Sequence, residues 1–154
     1  MDQLGKRDIK ELNSKLSSLG AEIPKKANVA FEDNFIFIDK ELCFFRFRDH
    51  VLPSLRKVYS SDSIQKTMKK VTCDMGAVKF VVKGADLMRP GIVSFDRDIA
   101  KGEPVLVVDE SHFKPIAVGI SLFSTSEYSE NDAGKAVKIL HYVGDAIWKE
   151  ELPA

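Results

Sequence analysis

From Val71 onward the chain breaks into short apolar runs separated by turn residues, and that rhythm constrains the fold more than any other feature. The runs are Val78–Val82, Ile92–Phe95, Val105–Val108, Ile116–Leu122, Val137–Tyr142 and Ala146–Trp148. Between them lie Gly84/Pro90/Gly91, Asp98–Pro104, Asp109–Pro115, Glu127–Gly134 and Gly144-Asp145. Runs this short with turn signals at this spacing read as strands of a small β-barrel or sandwich, not a parallel α/β sheet. Closing such a sheet protects its edges from pairing with other chains. The change of pattern near Met68–Thr72 predicts two domains, residues 1–71 and 72–154.

The first half has a different rhythm, that of an α+β domain. Ile9, Leu12, Leu16 and Leu19 recur at spacings of three and four, the apolar stripe of one helix over Lys6–Leu19. Gly20 and Pro24 end it. Asn28–Phe31, Phe35–Asp39 and Leu42–Phe47 read as strands, with Glu32-Asp33-Asn34 and Asp39-Lys40-Glu41 as their turns. Phe35, Phe37, Phe44, Phe45 and Phe47 form a small core, since polar residues alternate too poorly with them for an exposed stacking platform. Val51–Tyr59 is expected to turn helical after Pro53, and Ile64–Lys69 forms a second short helix or loop.

Several function classes are disfavoured. No run approaches the roughly 18–20 apolar residues of a membrane span. The opening MDQLGKRDIKEL lacks the apolar centre of a secretory signal, which favours the cytoplasm. Cys43 and Cys73 are then expected as free thiols. His50, His112 and His141 are scattered without ligand spacing, so neither a metal nor another cofactor is expected. GxSxG, HExxH, P-loop and GxGxxG motifs are absent, and the acid pairs Asp96/Asp98 and Asp109/Glu110 fall in turns. The expectation is a binding protein, not an enzyme.

Charge points to the ligand. Arg46 to Arg89 carries ten Lys/Arg against four acids, a net of +6, while Pro90 to Ala154 carries six against eleven, a net of −5. A basic middle beside an acidic end favours an anionic partner for the former. Within that middle, VKFVVKGADLMRPGI reads as strand, glycine, one helical turn, Pro-Gly, strand. Alternation along the strand would put Lys79, Val81 and Lys83 on one face, opposite Phe80 and Val82. Gly84 would permit close backbone approach to a ligand. The N–H groups of Ala85, Asp86 and Leu87 would face a phosphate, with Arg89 beside them. Asp86 caps the turn or accepts from a base amino group, and Met88 is either core or adaptable surface. Gly91 is assigned to turn geometry alone, and Trp148 to packing.

The ordered motifs VTCDMGAVKFVVKGADLMRPGI, VLVVDESHFKPIAVGISLFS and KILHYVGDAIW resemble the PUA domain over about Thr72 to Trp148. KRDIKEL, EIPKKANV and FIFIDKEL resemble the pre-PUA domain that precedes it in archaeal proteins. The whole is similar to the archaeal relatives of the malignant T-cell-amplified sequence protein. This resemblance implies an α+β pre-PUA domain followed by a mainly β PUA pseudobarrel that binds structured RNA. It maps the RNA-facing helix to Gly84–Met88, with Lys79, Lys83, Gly84, Ala85, Asp86, Met88 and Arg89 as the binding residues. His141, Tyr142 and Trp148 approach that surface if the last strands close the barrel. Lys25, Lys26, Arg46 and Arg48 are further basic positions for RNA or ribosome contact.

The implied role is a non-catalytic factor of translation initiation, reinitiation or recycling. Its partners would be tRNA or rRNA, the small ribosomal subunit and a translation-factor protein. Two other readings stay open: an RNA-binding accessory subunit of a tRNA- or rRNA-modifying enzyme, and a protein-interaction adaptor.

Overall fold

The computed structural model describes residues 2–151, so residues 1 and 152–154 of the expected domains lie outside the described residues. The chain divides into two compact units between Met68 and Lys69. Lys69, Lys70 and Val71, which the expected division assigns to the first domain, share a strand with Thr72 and Cys73.

The first unit is an antiparallel meander with helices. Its sheet runs β1 (Asp2–Gln3), β2 (Val29–Glu32), β3 (Phe35–Ile38), β4 (Glu41–Phe47) and β5 (His50–Pro53), in that spatial order. Helix α1 (Lys6–Ser17) buries Leu12 and Leu16 and packs against β5. Gly20 adopts φ +81, and a Cβ there would collide with Thr67 and the Ser63 carbonyl. Only glycine fits the bend that brings the chain off α1. Leu42, Cys43, Phe44 and Phe45 are consecutive and all buried, so β4 is covered on both faces. That double burial explains why the phenylalanines do not alternate with polar residues. After β5 come α2 (Leu55–Ser60) and α3 (Asp62–Thr67), N-capped by the Ser54 and Ser61 hydroxyls.

The second unit is built on a six-stranded mixed sheet. Its strands are β6 (Lys69–Cys73), β7 (Leu87–Met88), β8 (Ile92–Phe95), β9 (Pro104–Asp109), β10 (Pro115–Ser121) and β11 (Lys135–Tyr142). The spatial order is β7-β11-β10-β9-β6-β8, with β6 parallel to β9. β7 and β8 are the two edge strands, yet a three-residue 3₁₀ turn, Arg89–Gly91, joins them. Three residues reach only about 10 Å, so the sheet must roll until its edges nearly meet. The result is a pseudobarrel, as the resemblance implies. Val71, Val105, Val107, Ala117, Tyr128 and Val137 fill its centre.

Two of the expected strands are helices. Val78–Val81 belongs to α4 (Met75–Val81), with Val82 as its C-cap, and Ala146–Trp148 to α6 (Ala146–Lys149). The expected helical turn at Ala85–Met88 is absent: Ala85 and Asp86 have no regular structure, and Leu87–Met88 form β7. Helix α4 is fixed at both ends. The Asp74 carboxylate accepts from the Ala77 N–H at 2.7 Å. At the other end Gly84, at φ +94, completes a Schellman turn, with Gly84 N–H donating to Val81 and Ala85 N–H to Phe80. Ala77, Val78, Val81 and Val82 face the barrel core at helical spacing. Caps and packing outweigh the strand preference of three valines. The remaining helix, α5 (Thr125–Glu130), begins with a reciprocal Ser124/Glu127 capping box.

Candidate nucleic-acid interface

An open groove of about 640 Å³ runs between α4 and the segment Ala85–Gly91. Gly76, Ala77 and Phe80 line it from the helix, and Asp86, Met88 and Pro90 from the opposite side. Lys135 of β11 stands at its rim. Phe80 is 62% exposed and Met88 48%, so the groove presents two large apolar side chains to solvent. Two neighbouring exposed apolar side chains lining one groove make it a candidate binding surface.

The groove owes its shape to a close approach. A Cβ on Gly91 would lie 2.9 Å from the Ala77 Cβ. Gly91 has no positive φ. Its glycine character therefore serves packing of the 3₁₀ turn onto α4, not the turn geometry expected from sequence. The Asp74 N–H donates to the Gly91 carbonyl at 2.8 Å and ties the same two segments.

The PUA domain sequence profile matches residues 69–143. A Methanocaldococcus jannaschii protein is 44% identical over 153 residues, covering 94% of this chain and 93% of that protein. Translation machinery-associated protein 20 of Schizosaccharomyces pombe is 34% identical over 137 residues, 82% of this chain and 74% of the relative. The chain belongs to this PUA-domain family. Its other members include the malignant T-cell-amplified sequence proteins. A hypothetical protein of Pyrococcus horikoshii has a crystal structure that superposes with TM-score 0.82 at 34% identity, covering 97% of this chain and 98% of that one.

In this PUA domain the seven expected site residues separate. Ala85, Asp86 and Met88 line the groove. Lys79 and Lys83 are exposed on and just after α4. They do not share one face of a strand, because that strand is a helix.

Gly84 makes room within the protein. A Cβ built on it would lie 3.1 Å from Tyr142 Cε1 and 3.2 Å from the phenol oxygen. Positive φ and the Tyr142 ring together exclude other residues.

Arg89 turns inward. Its Nε donates to the Tyr128 carbonyl and its Nη1 to the Ile92 carbonyl, both at 3.0 Å. The guanidinium sits 5.6 Å from the Phe95 ring and 5.9 Å from the Tyr128 ring. These contacts hold β8 and α5 together, so Arg89 supports the barrel rather than facing the groove.

Asp86 is engaged twice. One oxygen accepts the Ile139 N–H at 2.8 Å, and the other pairs with Lys135 Nζ at 3.1 Å. It therefore orients Lys135 over the rim. The sequence reading missed Lys135 and Phe80. Phe80 was placed opposite the lysines by strand alternation; a helical reading would have exposed it. The signal was present, since Asp74 and Gly84 bracket the run as cap residues.

Of the C-terminal trio, Tyr142 packs on Gly84. His141 is fully buried, with its Nδ1 2.9 Å from both Asp145 carboxylate oxygens. Trp148 is only half-buried on α6, not the core residue expected. Burial pushes the Asp145 carboxyl upward. The hydrogen bonds from His141 and from the Trp148 and Tyr142 N–H groups outweigh that and hold it below the ordinary carboxylate range. Cys43 and Cys73 are free and buried, and burial pushes the Cys73 thiol up to about 11. Both are therefore poor nucleophiles. Among the described residues no cluster of His, Cys, Asp and Glu has the make-up of a metal site. Among the described residues no helix is long and apolar enough to cross a membrane.

Proposed function

We propose that this protein binds structured RNA in the α4 groove, as a non-catalytic factor of the translation apparatus in the cytoplasm. The observation that carries the reading is the exposure of Phe80 and Met88 in a groove with Lys135 at its rim. Apolar walls suit the faces of an unpaired base, and the bases of single-stranded ends and loops are the parts of RNA that can be splayed out. Exposed Lys79 on α4 and Lys83 just after it, with Lys135 at the rim, suit the phosphates that flank such a base. The Gly84 and Ala85 backbone at the end of α4 adds a surface without a protruding side chain. Arg89 contributes by holding the 3₁₀ turn.

The ligand is the single-stranded acceptor end of tRNA or an exposed element of small-subunit rRNA. The place of action is initiation, reinitiation or recycling, with the residues before Lys69, as a pre-PUA domain, docking elsewhere on the subunit. The names of its relatives in translation support the placement. A salt-titrated binding assay with intact tRNA, tRNA lacking its 3′-CCA and isolated small subunits tests it. Preference for one of the RNAs, with affinity falling as salt rises, is expected. Absence of binding to all three by folded protein contradicts it.

A further inference from the structure

Phe113 is 68% exposed at the tip of the β9–β10 loop, more than Phe80 in the groove. It is also held in the left-handed region, at φ +53. The loop that holds it is rigid. The Asp109 carboxylate, only 6% exposed, accepts from the N–H groups of Ser111 at 2.9 Å, His112 at 2.6 Å and Lys114 at 3.2 Å. The Phe113 N–H donates to the Asp109 carbonyl at 2.9 Å. Those N–H groups together hold the Asp109 carboxyl below its ordinary range.

The loop is tied to the groove. Glu110 N–H donates to the Cys73 carbonyl at 3.0 Å, and Asp74, the next residue, caps α4 and lines the groove. We infer that Phe113 is a stacking platform for an unpaired nucleobase of the RNA held in the groove, which extends the contact past the N-terminal end of α4. This rests on the groove reading above.

The loop's neighbours favour a base over a protein anchor. Ser111, His112 and Lys114 flank the ring and are exposed polar residues. A protein hot spot sits inside a wider apolar patch, whereas one isolated ring with polar flanks matches one planar base. Pre-ordering the loop lowers the entropy lost when the base stacks.

Phe113→Gly tests this without threatening the fold, because glycine accepts the positive φ at no steric cost. In the full chain, affinity for intact tRNA is expected to fall about tenfold, with thermal stability unchanged or raised. The salt dependence should stay the same, since no phosphate contact is lost. Phe113→Trp should restore the affinity. Wild-type affinity in Phe113→Gly overturns the inference. If Phe80→Ala weakens binding while Phe113→Gly does not, the groove reading stands and this one alone fails. No binding by the folded wild-type protein overturns both.

Discussion

The Arg89 side chain donates from Nε to the Tyr128 carbonyl oxygen at 3.0 Å, bridging the 3₁₀ turn that closes the barrel and the α5 helix. A cation in the most basic stretch of the sequence is thus committed to the fold. Arg89→Ala should cost about 2–3 kcal/mol, from two charge-assisted hydrogen bonds and the stacking on Phe95 and Tyr128. Arg89→Lys should rescue little, because a lysine lacks the planar fork. Urea denaturation of the variants checks both. A stability loss under about 0.5 kcal/mol, as at ordinary surface sites, would contradict the assignment.

Gly84 and Tyr142 should be energetically coupled. Gly84→Ala is expected to cost about 1–3 kcal/mol, from the positive φ and the 3.1 Å contact. In a Tyr142→Ala background only the φ penalty of about 1 kcal/mol should remain. A double-mutant cycle by chemical denaturation measures the difference. Additive costs would mean that the ring does not limit the site.

Lys79 and Lys83 are expected to act on RNA without acting on stability. Each Lys→Gln change should lower the slope of log affinity against log salt by roughly 0.7–0.9. Stability should stay within about 0.5 kcal/mol of wild type. Binding isotherms at several salt concentrations give the slopes. Unchanged slopes in both variants would remove the lysines from the interface.

Asp145 should make a pH-dependent contribution. A carboxylate whose folded pKa is held down stabilises fully above its unfolded pKa, about 3.9. It loses that contribution as pH falls through the lowered folded value. Asp145→Asn should therefore cost about 1–3 kcal/mol at pH 7. The gap from wild type should narrow toward acid. Denaturation curves at pH 7, 4, 3 and 2 follow the gap, which should hold from pH 7 to 4 and close below that; a gap that widens toward acid would contradict the assignment.

Much of this architecture was legible in the sequence. The α1 stripe, the meander from Val29 to Phe47 and the strands from Ile92 to Tyr142 follow directly from periodicity and turn residues. The errors share a cause. In Val78–Val82 the β-branched residues match strand preference, but the Asp74 cap, the Gly84 terminator and packing of one helical face decide the outcome. Read as a strand, that run sets Phe80 on the face opposite the lysines, and the helix falls past Gly84. β6 was overlooked because Lys69 and Lys70 open it, and its parallel pairing with β9 has no local signature. The inward turn of Arg89 depends on Tyr128, thirty-nine residues away, which no local pattern reveals.

Photo-crosslinking of intact tRNA to the full-length protein, with the joined residues mapped by mass spectrometry, tests the central claim most directly. The account predicts crosslinks at Phe80, Met88 and the neighbouring residues of the α4 groove. Crosslinks confined to residues before Lys69, with none in the groove, would contradict it.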